Sequence, residues 1–267
     1  MNIIICILLL MYESLAFGKI NICDSQKPIS LGFYTIGFLF YEEDKIYNGI
    51  DYDVIEEIKK RTNCSFHTDV LTRARIWKEL ETGELNMSVS GIPTPERLKF
   101  AHFVRYLNAK QVLILNNKYD KILKLEELQN NPEIKFARVR AFKHGAYFDN
   151  MFENIKNQER IIEVPRVDDL FSLLEKNEVQ AVVALNVVYP YWLQKLKSSN
   201  KFIVKDFQEN TELVPGDLIL SKKRFGKEDA EKFQSVIDSI LKDGTLLKIF
   251  TKHVGAKIGK SLLPVKN

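Results

Sequence analysis

Segments typical of strands and helices alternate along the chain, and the alternation runs through it twice. In the first half, strands are predicted at 19–23, 63–70 and 85–89, and helices at 54–61 and 76–80. Parallel strands need long crossover connections, and a helix is the usual one. This order therefore predicts a mostly parallel sheet flanked by helices.

The pattern restarts after an apolar run at 111–115. The predicted elements of the second half are helices at 123–128, 146–155 and 167–174 and strands at 134–139, 161–164 and 179–185. At 267 residues the chain is also longer than the roughly 100 to 200 residues of one domain. We therefore expect two α/β lobes, the first from 19–115 with 218–267 and the second from 116–217.

Two chain crossings should join these lobes, near 115–118 and 215–218. Helices predicted at 227–241 and from 245 to about 252 complete the first lobe. The basic, polar tail at 255–267 is expected to be loose.

The first eighteen residues have the pattern of a secretory signal peptide. An apolar run at 3–11 is followed by the small residues Ser14, Ala16 and Gly18. The run is too short for a transmembrane helix, which needs about 20 apolar residues. We expect export, with cleavage near Ala16 or Gly18.

The cysteines and histidines do not suggest a metal site. Of three cysteines, Cys6 lies in the predicted signal peptide, which leaves Cys23 and Cys64 in the exported chain. These two can form a disulfide in an oxidising compartment, or they can remain buried free thiols. The 4 histidines are scattered, and no CxxC or HExxH spacing occurs. We expect neither a metal nor a cofactor.

The charge of the chain argues against nucleic acid as a partner. Its 39 basic and 35 acidic residues are mixed along the sequence, without a basic block. A small molecule is the expected partner instead.

Residues 90–97, with the sequence SGIPTPER, are the strongest candidate for a binding site. Gly91 lets the backbone approach a ligand, and a helix is predicted to start at Thr94 or Pro95 with free N–H groups that suit an anion. Arg97 offers a planar fork of donors for a carboxylate. The structural alternative is that Thr94 only caps the helix and Arg97 pairs with a neighbouring acid.

Several motifs together resemble the family 3 extracellular solute-binding proteins, which have the type II periplasmic binding fold and include the amino-acid receptors of ABC importers. In chain order the motifs are Gly49-x-Asp51-x-Asp53, Trp77-x-x-Leu80-x-x-Gly83-Glu84-Leu85-Asn86, Thr94-Pro95-Glu96-Arg97, Phe103-x-x-Tyr106 and Leu241-Lys242-Asp243-Gly244-Thr245. The resemblance spans about 20–255. It implies that Arg97 binds a ligand carboxylate, helped by the Thr94 hydroxyl and by the backbone at Ser90 and Ile92.

The resemblance also implies further contacts from the first lobe. Phe33, Tyr34 and Phe38 lie where the family often places a stacking ring, although core packing is the alternative for each. Arg73 and Arg75 follow a predicted strand, at an edge that faces the cleft. We expect Arg75 in the site and a solvated position for at least one of the two.

In the second lobe, Gly145 and Tyr147 belong to a turn that should close on the ligand from the other side. The amino-acid binders usually supply an acid after the strand predicted at 179–185, which holds the ligand ammonium. This sequence has Leu185-Asn186 there. Asn186 becomes the candidate contact, and a neutral amide holds an ammonium less strongly than a carboxylate does.

The resemblance therefore implies a monomeric periplasmic solute-binding protein. Its lobes would close about a hinge on an amino acid or related carboxylate, which an ABC permease of the inner membrane would receive. One alternative is an enzyme on the same fold, such as a cyclohexadienyl or prephenate dehydratase, with Glu42, His144 and Asp149 as acid-base candidates. Another is a ligand-sensing module for a membrane partner.

Overall fold

The computed structural model describes residues 19–24, 26–207 and 213–264. The predicted signal peptide and its cleavage site lie outside the described residues. Within the described ranges, no helix combines the length and the apolar character needed to cross a membrane.

Twelve strands and eight helices make up the described chain. In chain order they are β1 (Ile29–Phe33), β2 (Tyr41–Glu43), β3 (Ile46–Asn48), α1 (Ile50–Arg61), β4 (Phe66–Val70), α2 (Arg73–Thr82), β5 (Met87–Gly91), β6 (Ala101–Ala109), β7 (Gln111–Asn116), α3 (Leu125–Asn130), β8 (Phe136–Val139), α4 (Ala146–Glu153), β9 (Ile161–Val164), α5 (Val167–Glu175), β10 (Ala181–Leu185), α6 (Tyr189–Lys195), β11 (Phe202–Lys205), β12 (Val214–Ser221), α7 (Lys227–Lys242) and α8 (Thr245–Ser261).

The larger strands form two five-stranded sheets, with the orders β4-β1-β5-β12-β6 and β11-β7-β10-β8-β9. In the first sheet β12 runs against the other strands, and in the second sheet β7 does so. Helices flank both sheets. The predicted α/β fold of two lobes with mostly parallel strands is therefore confirmed. We call the elements around the first sheet the first lobe and those around the second sheet the second lobe.

The chain crosses between the lobes earlier than predicted. The run at 111–115, expected in the first lobe, forms β7, which pairs with β10 and β11 in the second sheet. The first crossing is therefore at Lys110, and the second precedes Val214, where β12 enters the first sheet. An apolar run satisfies either sheet equally well, so its composition could not show which sheet it joins.

The predicted position of the first strand was also wrong. Residues 19–23 make only an isolated bridge, between Ile20 and Thr62, whereas the strand inside the sheet is β1. The residues of β1, ISLGF, also place apolar side chains at alternate positions, so alternation by itself could not distinguish β1 from 19–23. Of the two cysteine alternatives, the structure contains the disulfide Cys23–Cys64, with Cα atoms 5.0 Å apart.

The C-terminal tail is more ordered than expected as far as it is described. Helix α8 bends at Gly255, whose φ of 75° suits glycine, and continues to Ser261 instead of ending near 252. Leu262 is fully buried, and its carbonyl accepts from the Asn108 amide at 2.8 Å. These contacts fasten the tail to β6, next to the first crossing.

Candidate functional site

A cavity lies between the two lobes, with an empty volume of about 690 Å³ that includes open solvent at its mouth. The first lobe lines it with Tyr34, Ile36, Leu39, Arg73, Ser90, Ile92, Arg97, Leu107, Ala109, Val214, Pro215 and Gly216. The second lobe lines it with Gln111, Val139, Ala141, Phe142, Lys143, His144, Val167, Leu170, Phe171, Val183, Ala184, Leu185 and Val188. The cleft is therefore mainly apolar, with a few polar side chains.

The Arg97 guanidinium crosses the cleft. One of its nitrogens donates to the Ile92 carbonyl at 2.8 Å, and another donates to the Ala141 carbonyl of the second lobe at 2.9 Å. The group also lies 3.7 Å from the ring centre of Trp77. No ion pair joins Arg97 to an acid in the described part of the chain, so carbonyls and an aromatic ring hold it in place.

The local backbone around Arg97 differs from the prediction. The chain makes only one 3-10 turn, at Arg97–Lys99, instead of a helix that starts at Thr94 or Pro95. The Thr94 hydroxyl accepts from the Arg97 amide at 3.3 Å. Residues 90–97 therefore lack the free N–H groups of a helix start that were predicted to suit an anion, and Arg97 is their only cation.

A second guanidinium contacts the same tryptophan ring. Arg73, the first residue of α2, is buried and donates to the carbonyls of Val89 at 3.1 Å and Ser90 at 2.6 Å. Its guanidinium lies 4.2 Å from the ring centre of Tyr34 and 4.8 Å from that of Trp77. Aromatic faces favour such a planar cation.

The two arginines make the first-lobe wall strongly positive. Burial, together with the neighbouring charge of Arg73, lowers the pKa of Arg97 to about 9. Burial also lowers the pKa of Arg73. An anion bound between the two guanidinium groups would relieve both effects.

Ser90 is held from behind by a buried acid. Asp51 accepts from the Ser90 hydroxyl at 2.8 Å and from the Tyr106 hydroxyl at 2.5 Å. Burial raises the pKa of Asp51 to about 7, although both hydrogen bonds lower it. Asp51 does not line the cavity, so its hydrogen bonds hold Ser90 in place near the end of β5, where the φ of Ser90 is 50°.

Asp53, in the first turn of α1, connects two helices. Its carboxylate lies 2.7 Å from Lys252 Nζ and 2.7 Å from His253 Nε2, both in α8. The helix itself begins after Gly49, whose φ is 120°.

The second lobe presents polar atoms that have no partner. Gln111 Oε1 and both ring nitrogens of His144 are buried, and none forms a hydrogen bond within the described residues. Burial, with smaller contributions from Arg138 and Lys143, lowers the pKa of His144 to about 3, so its imidazole is neutral. Buried polar atoms are nearly always hydrogen-bonded, which makes these three notable.

Sequence comparison identifies the class of protein. The bacterial extracellular solute-binding proteins of family 3 match the chain over residues 34–256. The chain belongs to this family. No curated protein sequence matches it.

Solved structures share the fold at low sequence identity. The arginine-, lysine- and histidine-binding protein ArtJ from Geobacillus stearothermophilus is 18% identical, with a TM-score of 0.73, and the match covers 86% of this chain and 96% of that one. A substrate-binding protein of an ABC uptake transporter from Streptococcus pneumoniae, with bound histidine, is also 18% identical, with a TM-score of 0.71 and coverages of 86% and 94%. An ancestral amino-acid-binding protein, a precursor of cyclohexadienyl dehydratase, is 20% identical, with a TM-score of 0.70 and coverages of 86% and 96%.

In this family 3 protein, four of the predicted site residues meet in the cleft: Tyr34, Ser90, Ile92 and Arg97. Thr94 and Gly145 lie together in a neighbouring depression of the surface. Gly91 has a packing reason, because a Cβ atom there would collide with Ile219 of β12. Ser90 and Ile92 thus line the cleft, whereas Gly91 allows β5 and β12 to pack closely.

The other predicted residues lie elsewhere. Phe33 is fully buried in β1 and stacks on Phe40, with ring centres 4.4 Å apart. Phe38 makes an edge contact with Tyr191 of the second lobe, 5.3 Å between ring centres. Tyr147 packs against its neighbour in α4 and donates to a backbone carbonyl at 3.4 Å.

Asn186 is hydrogen-bonded to Lys110, at the first crossing between the lobes, and does not line the cavity. Its side-chain oxygen accepts from the Lys110 amide at 3.1 Å, and its own amide donates to the Lys110 carbonyl at 2.8 Å. The residue before it, Leu185, lines the cavity.

Arg73, and not Arg75, is the second arginine of the site. Arg75 is exposed on α2 and pairs with Glu79 at 2.5 Å. The phase of the helix could have shown this, because Arg73 shares a face with Ile76, Trp77 and Leu80, all of which are buried. For Gln111 and His144 no comparable signal exists, since the environment of each comes from distant segments.

Proposed function

We propose that this chain is an exported solute-binding protein, which captures a small amino acid or related carboxylate between its lobes and delivers it to an ABC importer in the membrane. One observation carries the proposal. Arg73 and Arg97 both line the cleft, their guanidinium groups both lie against the ring of Trp77, and neither forms an ion pair with a carboxylate of the described chain. A ligand carboxylate would supply the missing partner.

The energetics favour such a ligand. A buried cation is costly unless it is paired, and carbonyl oxygens compensate only part of that cost. A carboxylate can accept two parallel hydrogen bonds from one guanidinium, which is a strong and directional arrangement. The site is therefore suited to anions that carry a planar pair of oxygens.

Contacts between the lobes support capture by closure. Arg97 reaches the carbonyl of Ala141, and Tyr34 makes an edge contact with Phe142, 5.5 Å between ring centres. A ligand in the cavity can contact both lobes only when these inter-lobe contacts are formed. Ligand binding therefore selects the closed form. An importer that recognises the closed form would then distinguish loaded from empty protein.

The class of ligand is supported by family membership and by similar structures. The proteins named above bind arginine, lysine and histidine, or contain bound histidine. An amino acid or another small carboxylate fits the two arginines of this chain equally at the anionic end.

Acid-base catalysis is less well supported. The imidazole of His144, with its pKa lowered to about 3, is too weak a base for efficient proton transfer near neutral pH. Glu42 is exposed on the β2–β3 hairpin, and Asp149 lies in the neighbouring depression. These three groups do not converge on one point of the cleft, which favours a binding protein over a dehydratase.

The test is a melting and titration screen of the purified mature chain with small amino acids, hydroxy acids and other carboxylates. A ligand at 100 times its Kd should stabilise the chain by about 2.7 kcal/mol. Arg97→Ala should abolish the shift, whereas Arg75→Ala, a matched control on the exposed side of α2, should retain it. Recovery of the compound unchanged is expected.

Three results would overturn the proposal. They are the absence of a shift with every carboxylate, undiminished binding by the Arg97→Ala variant, and turnover of the bound compound.

A further inference from the structure

The charged side chains that line the cleft all have the same sign. Arg73, Arg97 and Lys143 are cationic, and no carboxylate lines the cavity in the described part of the chain. Asp51 lies behind the cavity wall, where its carboxylate accepts hydrogen bonds from Ser90 and Tyr106. A ligand ammonium would therefore enter a half-enclosed, positive site without a counterion, which is unfavourable.

Two of the polar groups that the second lobe contributes to the cleft, Gln111 and His144, are neutral. Gln111 is the first residue of β7 and pairs with Leu185 of the neighbouring strand β10. An amide and an apolar side chain are therefore neighbours at this end of the cleft. Gln111 Oε1 can only accept a hydrogen bond. The neutral imidazole of His144 offers one donor and one acceptor, whichever tautomer it adopts.

These atoms are buried and unsatisfied. Gln111 is 3% exposed and His144 is 4% exposed, and Gln111 Oε1 and both imidazole nitrogens have no partner among the described residues. A ligand hydroxyl can donate its one hydrogen bond to Gln111 Oε1 and accept one from the imidazole N–H of His144, without bringing a charge. The remaining wall, which includes Leu170, Phe171 and Val183, suits an apolar body.

We infer that the ligand is a hydroxycarboxylic acid with an apolar chain, and not an amino acid with a free ammonium group. The inference rests on the proposed function, since it assumes that Arg73 and Arg97 bind a carboxylate. The hydroxyl contacts Gln111 Oε1 and His144, and the apolar chain packs against the second-lobe wall.

The test compares ligands that share one carbon skeleton. Leucine, 2-hydroxy-4-methylpentanoate and 4-methylpentanoate differ only in carrying an ammonium, a hydroxyl or a hydrogen. Phenylalanine, 3-phenyllactate and 3-phenylpropanoate form a second series. Calorimetric titration of the mature chain should rank the hydroxy acid first in at least one series, at least about 10-fold above the amino acid.

Each outcome has a defined meaning. If the amino acid binds as tightly as the hydroxy acid or more tightly, the inference is overturned while the proposed function stands. If the deoxy acid equals the hydroxy acid, the role of Gln111 and His144 is overturned. If no member of either series and no other carboxylate binds, the proposed function fails and the inference fails with it.

Two variants test the residues themselves. Leu185→Asp places a carboxylate beside Gln111 and should shift the preference toward the amino acid by at least about 10-fold, whereas Leu185→Asn, with the same shape and no charge, should not. Gln111→Met should remove the advantage of the hydroxy acid over the deoxy acid, measured as the ratio of their two Kd values. An equal loss for both acids would indicate a purely structural role for Gln111.

Discussion

The two walls of the cleft differ in how their polar groups are satisfied. On the first-lobe wall, Arg73 donates to backbone carbonyls and Ser90 donates to Asp51, so both have partners before any ligand arrives. On the second-lobe wall, Gln111 Oε1 and the nitrogens of His144 have none within the described residues. The first wall holds charge in a fixed position, and the second wall offers neutral atoms that a ligand can satisfy.

The lobes also differ in how they are stabilised. The first lobe contains the Cys23–Cys64 disulfide and the buried Asp51 network. The second lobe depends on apolar packing, including a cluster around Phe136, Phe148 and Phe152. The chain carries 2 tryptophans, with Trp77 in the first lobe and Trp192 in the second, so each lobe has its own fluorescent probe.

The largest expected effect concerns the disulfide. Replacement of Cys23 and Cys64 by serine should lower the free energy of unfolding by about 4 kcal/mol, because the bond closes a loop with a sequence separation of 41. Denaturant unfolding, followed through Trp77 in a Trp192→Phe background and through Trp192 in a Trp77→Phe background, should show the larger shift in the first lobe. Equal shifts of both probes would show that the lobes unfold as one unit, and the stability contrast would be lost.

Packing of the second lobe should have the next largest effect. Phe171 is 1% exposed, stacks near Trp192 with ring centres 5.9 Å apart, and lines the cavity. Phe171→Leu should cost about 1 to 2 kcal/mol of stability and weaken ligand binding several-fold. Phe233→Leu is the matched control, because Phe233 is buried in α7 against Phe225 and does not line the cavity. It should lose similar stability and keep its affinity, and an equal loss of affinity would contradict the apolar role of the second wall.

The limits of prediction from sequence follow from the same contrast. The alternation of elements and the order of motifs predicted two α/β lobes and located residues 90–97, because both signals are local. β1 and the membership of β7 were missed, because apolar residues alternate at 19–23 as well as in β1 and because the apolar run of β7 fits either sheet. Of the predicted first-lobe residues, Tyr34, Ser90, Ile92 and Arg97 line the cavity, whereas Gln111 and His144 were not predicted as ligand contacts. These two residues are notable because their side chains lack hydrogen-bond partners among the described residues. Only the tertiary structure shows which groups surround a side chain, so the sequence could not reveal this.

A third prediction uses one buried titratable group from each side of the cleft. Because folding raises the pKa of Asp51 to about 7, the folded state binds its proton more tightly than the unfolded state. The contribution of protonated Asp51 to the free energy of unfolding therefore falls as pH rises from about 4 to 7. Folding lowers the pKa of His144 to about 3, so its contribution falls in the opposite direction, as pH drops below about 6.5.

The two contributions should separate in variants. Asp51→Asn should make stability less sensitive to rising pH between 4 and 7, whereas His144→Gln should make it less sensitive to falling pH, each by on the order of 1 kcal/mol per pH unit at most. Free energies of unfolding measured from pH 4 to 8 test both. A change of the same sign in the two variants would contradict the assigned burial of one group.

The smallest effect is expected at Lys143, the second-lobe cation of the cleft. Its side chain is 44% exposed and lies 3.9 Å from Asp149, so solvent and a carboxylate already screen its charge. Lys143→Gln should weaken carboxylate binding by less than about 3-fold, and about 0.5 M salt should reduce even that difference. Calorimetric titration at two salt concentrations measures both quantities. If the loss approached that of Arg97→Ala, charge recognition would belong to both lobes, and the division between a charged wall and a neutral wall would be wrong.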